Sequence, residues 1–146
     1  MNYKLFTLIV FIMIFTSCGG GNTNNSGQST TPVAIDNSPY AGGKMIYQKT
    51  CITCHQADGQ GMQGTYPPLA NSGYLLADKY RAIKQVLKGS MKKITVNGND
   101  YQGVMTPQVL NDSDVAQVLN YVCHSFGNNG FIFTSAEIKS VRDTLK

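Results

Sequence analysis

The chain has 146 residues, 42% of them hydrophobic, and a formal net charge of +4. This length predicts a single domain, and so mild a positive charge does not indicate a nucleic-acid-binding protein. Past the N-terminal region the sequence has no apolar run near the ~20 residues that a transmembrane helix requires.

The N-terminus predicts export from the cytoplasm. Lys4 precedes an apolar run from Leu5 to Phe15, which is too short to span a bilayer and is typical of a signal peptide. The small residues after it lead directly to Cys18, and this arrangement resembles a bacterial lipoprotein signal. We expect residues 1–17 to be removed and Cys18 to be lipidated, which would tether the protein to the periplasmic side of a bacterial membrane. The alternative is an ordinary signal peptide that leaves Cys18 as a free thiol.

Residues 18–37 are predicted to be the lipidated cysteine and a flexible linker. The segment is rich in Gly, Asn, Ser and Thr and has almost no apolar side chains to bury, so folding cannot offset its loss of entropy. A globular domain over residues 38–130 and a helical C-terminal extension over 131–146 are predicted to follow.

The first predicted helix has Ser38 as its N-cap, Pro39 in its first turn and an end near Thr50. Gly43, Ile46 and Tyr47 recur at three- and four-residue spacing, so they are expected on the buried face.

A Gly- and Pro-rich stretch, Asp58–Tyr74, is predicted to be a loop. The next helix is predicted over Ala77–Lys88, with Gly89 as its C-cap. Its apolar stripe comprises Tyr80, Ile83, Val86 and Leu87.

The segment Ile94–Val104 alternates apolar and polar residues around Asn97-Gly98, a dipeptide typical of a tight hairpin turn. We expect a short, irregular hairpin.

The last long helix is predicted to begin after Asn111, with Asp112 and Asp114 in its first turn, and to end at Gly127. Its core-facing residues are Val115, Val118, Leu119, Val122 and Phe126. A further short helix, Ser135–Leu145, is predicted with Thr134 or Ser135 as its cap.

Cys51-Ile52-Thr53-Cys54-His55 is a C-x-x-C-H sequence, which indicates covalent attachment of haem c. Two thiols can add across the two vinyl groups of the porphyrin, and two intervening residues let one turn of chain reach both. The histidine that follows then lies beneath the iron as its fifth ligand.

Three other uses of this motif are less consistent with the sequence. A thioredoxin-like C-x-x-C requires a βαβ context, which is missing. A zinc site requires a second pair of ligands, and only the adjacent Cys123-His124 is present. A structural disulfide would be strained at this spacing.

Position along the chain favours Met105 as the sixth iron ligand. Met45 and Met62 lie too close to the motif, and Met91 directly follows a predicted helix end. Met105 lies in the loop before the last long helix, far enough along to reach the other face of the haem. His124 is the alternative ligand. Ligation by His and Met raises the reduction potential and fills both axial positions.

The chain resembles the class I c-type cytochromes from Tyr40 to about Gly127. The resemblance is carried by residues 43–55, 56–61, 66–70, 104–107 and 111–122. It implies an all-α cytochrome c fold, in which about three main helices surround one covalent haem, with long loops and a minor hairpin.

The resemblance also implies roles for single residues. A carbonyl of the Pro67-Pro68 segment would accept a hydrogen bond from His55, with Pro68 in the cofactor site. Tyr101 would bind a haem propionate, and Gly43 would let the first helix cross the last long one near Tyr121.

Cys123 is expected to be a buried or half-buried free thiol, with an intermolecular disulfide as the alternative. A basic stretch of charged residues can be a solvated helix face or a docking surface for an acidic redox partner. It comprises Lys79, Arg81, Lys84, Lys88, Lys92 and Lys93.

Together these features predict a membrane-anchored electron carrier, not itself an enzyme, that exchanges electrons with a reductase, dehydrogenase or oxidase. One alternative is a haem enzyme or a sensor of gas or peroxide with a labile sixth ligand. Another is a fixed electron-transfer subunit of a larger oxidoreductase complex.

Overall fold

The computed structural model describes Asp36 and residues 38–146. The predicted signal peptide, Cys18 and nearly all of the predicted linker lie outside the described residues. Six helices and two short strands occur in the described part: α1 Ala41–Thr50, α2 Ile52–His55, α3 Gly73–Leu76, α4 Lys79–Lys88, β1 Ile94–Val96, β2 Asn99–Tyr101, α5 Asp112–Cys123 and α6 Ser135–Thr144. None of these helices is long and apolar enough to cross a membrane.

Helices α1 and α5 cross at close range, and their contact forms the centre of the core. A side chain at Gly43 would collide with the Gln117 carbonyl and with Tyr121 Cβ, so only glycine permits this approach. Tyr47, one turn later, is fully buried. The predicted crossing near Tyr121 and the predicted buried face of α1 are therefore confirmed. The predicted core face of α5 is also confirmed, because the buried residues include Val115, Val118, Leu119 and Val122.

Helix α1 begins later than predicted. Its N-cap is Tyr40, and Ser38 and Pro39 lie in a turn ahead of it. The Ser38 N–H donates to the Asp36 side chain at 2.9 Å, and the Asp36 carboxylate also pairs with Lys44 at 2.7 Å. These contacts stabilise the turn before the helix starts, and they hold the pKa of Asp36 down to about 2.

The segment from residue 58 to 88 differs from the prediction in two places. The short helix α3 occupies the end of the predicted loop, with Ser72 as its N-cap. Helix α4 starts at Lys79, because the Asp78 side chain accepts from the Arg81 N–H and caps it there. The predicted apolar face of α4 is confirmed for Ile83, which is buried, and is wrong for Tyr80, which is 47% exposed. Tyr80 lies beside α6, and its hydroxyl is 3.4 Å from Thr144 Oγ1.

The hairpin prediction is confirmed. Strands β1 and β2 pair antiparallel with Ile94 opposite Tyr101. Asn97 and Gly98 both have positive φ, 50° and 81°, as a tight two-residue turn of this hand requires.

Helix α5 starts as predicted, since the Asn111 side chain accepts from the Asp114 N–H at 2.9 Å. It ends at Cys123, earlier than the predicted Gly127. Phe126 and Gly127 have φ of 57° and 79°, which a right-handed helix cannot accommodate.

The C-terminal segment packs against the rest of the domain. Phe133 and Ile138 are buried, and α6 contacts both α4 and α5. Its predicted N-cap, Thr134, forms a capping box with Glu137. The polypeptide is thus all-α apart from one small hairpin, as predicted.

Asn128 is a buried polar residue that joins three segments. Its Oδ1 accepts from the Ser72 N–H at 3.2 Å. Its Nδ2 donates to the carbonyls of Leu69 at 2.7 Å and Val122 at 2.9 Å. One side chain therefore ties the loop before α3 to the end of α5.

We predict that Asn128→Ala lowers the free energy of unfolding by about 3 kcal/mol, because it leaves three buried backbone groups without partners. Urea unfolding followed by far-UV circular dichroism measures the change. Asn129→Ala is the matched control, since Asn129 is exposed, and it should change stability by less than about 0.5 kcal/mol. Equal effects of the two substitutions would contradict the assigned role of Asn128.

Candidate cofactor site

The C-x-x-C-H segment forms one compact turn at the end of α1. The Cys51 N–H donates to the Tyr47 carbonyl at 2.9 Å, and the His55 N–H donates to the Cys51 carbonyl at 3.0 Å. Cys51, Cys54 and His55 all line one cavity. The fold therefore brings both thiols and the imidazole to a single site, as attachment of a flat macrocycle through two thioethers requires.

The cavity is lined mainly by apolar side chains from α3, α4, α5 and the hairpin. Four of the lining residues are buried: Leu75, Ala82, Val96 and Leu119. Two cysteines and a histidine on an otherwise mainly apolar wall fit the porphyrin that the motif predicts.

His55 is held in one tautomer. Its Nδ1 lies 3.0 Å from the Pro67 carbonyl oxygen, which can only accept, so Nδ1 carries the proton. Burial lowers the pKa of His55, and the hydrogen bond to Pro67 partly offsets this effect. The imidazole is therefore neutral at pH 7, and Nε2 keeps a lone pair for a metal.

Gly61 lets the Pro67 carbonyl come this close. Its φ of 65° lies in the left-handed region, and a side chain there would collide with the carbonyls of Tyr66 and Pro67. The Gly61 N–H donates to the His55 carbonyl at 3.0 Å. The loop thus contacts His55 twice, once at the backbone and once at the ring.

Tyr47 stabilises the end of the C-x-x-C-H turn through a hydrogen bond from its hydroxyl. Gln56 has a φ of 63° and a ψ of 167°, which is costly for a residue with a side chain. The Tyr47 hydroxyl donates to the Gln56 carbonyl at 2.6 Å. Burial raises the pKa of Tyr47 well above its usual value, so the phenol remains a donor at every relevant pH.

Met105 lines the same cavity as His55. Its backbone pairs with Ser90, since the Met105 N–H donates to the Ser90 carbonyl at 2.8 Å and the reverse bond is 2.9 Å. Met45, Met62 and Met91 are exposed, and none of them lines the cavity. Met105 is thus the cavity's methionine, and its role as sixth ligand stays a prediction.

Two other predicted site residues lie on the cavity wall. Pro68 is buried there, although the acceptor of the His55 hydrogen bond is its neighbour Pro67. Tyr101 is buried in β2, and among the described residues no partner takes a hydrogen bond from its hydroxyl. Propionate binding by Tyr101 remains a prediction.

His124, the alternative ligand, does not line the cavity. It lies directly after α5, where its ring stacks on Tyr40 with centroids 4.8 Å apart. Its Nδ1 is 2.9 Å from the Asn120 carbonyl. His124 therefore lies outside the helix that was predicted to continue to Gly127, because α5 ends at Cys123.

Cys123 is fully buried and unpaired among the described cysteines, as expected. Burial raises the pKa of its thiol to about 11, so it is unreactive at neutral pH.

Within the described range, no three His, Cys, Asp or Glu side chains form a cluster that could hold a metal ion. The zinc alternative therefore gains no support.

Most of the basic stretch is engaged within the chain. Lys79 pairs with Glu137, and Lys93 pairs with Asp100 at 2.7 Å. Arg81 stacks on the Tyr74 ring, 3.8 Å from its centroid, and donates to the Tyr74 carbonyl. These contacts favour a structural role for the stretch over a docking surface.

The sequence did not reveal three contributions to the site. Tyr47 donates a hydrogen bond to the Gln56 carbonyl, Gly61 lets the Pro67 carbonyl approach His55, and buried Asn128 joins the loop before α3 to the end of α5. Tyr47 was recognised only by its place on an apolar face. No sequence pattern indicates the partners of Asn128, because they lie as far as 59 residues away.

Comparison with known proteins shows similarity to a protein family and to single relatives that agrees with the attachment motif. Residues 40–125, more than half of the chain, match the family described as Cytochrome c. Cytochrome c-552 of Thermus thermophilus is 38% identical over 112 residues, which cover 70% of this chain and 85% of the relative.

Two further relatives are parts of dehydrogenases. The cytochrome c subunit of the quinone alcohol dehydrogenase of Gluconacetobacter polyoxogenes is 24% identical, with 85% of this chain and 27% of that subunit covered. The fructose dehydrogenase cytochrome subunit of Gluconobacter japonicus is 30% identical, with 68% of this chain and 22% of the subunit covered. The chain thus spans only about a quarter of these two proteins.

We predict that Tyr47→Phe lowers the free energy of unfolding by about 1 kcal/mol, because the Gln56 carbonyl loses a buried donor. Denaturant unfolding at neutral pH measures the loss. Tyr80→Phe serves as control, since the Tyr80 hydroxyl is exposed and makes one long contact. A Tyr47→Phe protein as stable as the control would show that the Gln56 turn does not depend on this bond.

Proposed function

Because the chain belongs to the cytochrome c family and carries one covalent haem c, we propose that it is a lipid-tethered electron carrier with His55 and Met105 as iron ligands. Electron transfer is the work of the family. The ligation, the tether and the partners are what we propose for this chain.

One observation carries the proposal. Cys51 and Cys54 of the attachment motif, His55 and Met105 all line a single, mainly apolar cavity. When bound there, the haem supplies an iron that accepts and releases one electron.

The chain's own residues keep that exchange free of side reactions. Pro67 fixes the His55 ring, so Nε2 is presented in one orientation in either oxidation state. Met105 would supply the second protein ligand to the iron, which would leave no site open to water and small ligands. The apolar wall, which includes Val118 and Leu119, excludes water around the site.

The tether is supported by the sequence alone, since Cys18 lies outside the described residues. A lipid on Cys18 and about twenty linker residues would let the domain move above the membrane and meet its partners there. A second candidate is a fixed subunit of a larger oxidoreductase, which is favoured by the dehydrogenase cytochrome subunits among the relatives. Copurification with a partner in mild detergent would favour the second candidate over the first.

We predict that Met105→Ala abolishes the weak ferric absorption that a methionine sulfur gives at the red edge of the visible spectrum. The reduction potential should fall, because His/Met ligation raises it. Carbon monoxide association with the ferrous protein should accelerate by at least about tenfold, since the sixth position becomes open.

Met91→Ala is the control for this prediction, because Met91 is 80% exposed and lies outside the cavity. Its spectrum and carbon monoxide kinetics should match those of the unaltered protein. Rapid carbon monoxide binding by the unaltered protein would instead favour the sensor or enzyme alternative.

For the tether, we predict that Cys18→Ser moves the protein from the membrane fraction to the soluble periplasmic fraction. Loss of the acylated residue removes the lipid chains that hold the domain at the surface. Cys123→Ser should stay with the membrane, because Cys123 is buried. The proposal of a lipid tether is wrong if mass spectrometry of the unaltered mature protein finds no acyl chains on Cys18.

A further inference from the structure

We propose that the C-terminal helix α6 holds Met105 in place for ligation, and that Arg142 is the positioning residue through which it acts. Helix α6 lies beyond residues 40–125, the part of the chain that matches the cytochrome c family. The inference rests on the proposed His/Met ligation and deepens it. It concerns the Met105 loop, defined as residues 102–111.

Arg142 contacts the end of the Met105 loop with two different nitrogens. Its Nη2 donates to the Leu110 carbonyl at 2.8 Å. Its Nε donates to Asp112 Oδ1 at 2.7 Å, in the first turn of α5. The rigid, planar guanidinium can make both bonds at once, which a lysine amine cannot do in the same geometry. The loop's last residues are therefore fixed to α6 as well as to α5.

The other anchor of the Met105 loop lies at the end of α4, which packs against α6. The loop pairs with Ser90, which follows Gly89 at the end of α4. Gly89 has a φ of 70°, and a side chain there would collide with the Met105 carbonyl. Helix α4 is in turn joined to α6 by the Lys79–Glu137 ion pair and by the Lys88 amine, which donates to the Leu145 carbonyl at 3.2 Å.

Between these anchors the Met105 loop has little burial of its own. Val104 is 57% exposed and Val109 is fully exposed. Two further backbone bonds hold the loop. The Gln108 N–H donates to the Val86 carbonyl at 2.9 Å, again in α4, and the Gly103 N–H donates to the Thr65 carbonyl at 2.9 Å. A segment with so few buried contacts opens readily when its end contacts are lost.

The bond to Leu110 matters more than the ion pair with Asp112. Both Arg142 and Asp112 are about one third exposed, so their ion pair is screened by solvent and contributes little. A charged donor on a backbone carbonyl is a stronger hydrogen bond than a neutral one, and here it acts directly on the loop. Removing Arg142 should therefore raise the fraction of molecules in which Met105 has left its position.

Imidazole added to the ferric holoprotein measures that fraction. It occupies the sixth position only when Met105 is away, so its apparent affinity is proportional to the open fraction. We expect about a tenfold higher apparent imidazole affinity in Arg142→Gln than in the unaltered protein, which corresponds to about 1.4 kcal/mol. Arg142→Lys should fall between the two, because one amine can replace only part of the contact.

Two control variants separate positioning from general stability. Lys139→Gln breaks the Lys139–Asp143 ion pair on the same helix without touching the Met105 loop, and imidazole affinity should remain unchanged. Asp112→Asn removes the ion pair but keeps the bond to Leu110, so its effect should be smaller than that of Arg142→Gln. Thermal unfolding of each variant, followed by circular dichroism, shows how much global stability changes.

The outcomes distinguish this inference from the proposed ligation. If the unaltered protein lacks the methionine absorption, the His/Met proposal fails and this inference falls with it. If the absorption is present but Arg142→Gln and Lys139→Gln bind imidazole equally, α6 does not position Met105. Should Arg142→Gln fail to fold, the comparison of Arg142→Lys with Lys139→Gln decides in the same way.

Discussion

The hydrogen bond between His55 Nδ1 and the Pro67 carbonyl is the constraint on which the rest of the site depends. It fixes the tautomer and the orientation of the imidazole, and it requires the loop before α3 to lie directly against the attachment turn. Gly61 makes that approach possible, and Asn128 ties the same loop to the end of α5. Much of the buried polar structure thus serves to hold one carbonyl in place.

The two sides of the cavity are held by different means. On the His55 side, the ligand belongs to a helical turn backed by a fully buried tyrosine, and the motif's covalent bonds would add to that rigidity. On the Met105 side, the proposed ligand belongs to a loop with exposed flanks, held at its two ends by backbone and arginine contacts. The family match includes both His55 and Met105, whereas Arg142 lies in a helix that the match does not reach.

Local signals account for what the sequence predicted well. Asn111 and Thr134 were predictable as caps because the cap and its acceptor lie within one turn, and Asn97-Gly98 was predictable because both residues tolerate positive φ. The attachment turn was predictable because its chemistry requires one spacing. The sequence could not predict contacts such as those of Asn128 with Leu69 and Ser72, since they join residues more than fifty positions apart. Tyr80 was misplaced because periodicity treats a phenol as apolar, although its hydroxyl can remain in solvent beside α6.

We propose that the iron keeps one nitrogen ligand from His55 and one sulfur ligand from Met105 in both oxidation states, and therefore only exchanges electrons. X-ray absorption at the iron edge, recorded on the ferric and the ferrous holoprotein, tests this claim most directly. His/Met ligation predicts one sulfur neighbour at bonding distance in each state, together with the nitrogens of the porphyrin and of His55. A sulfur neighbour missing from either state would contradict it.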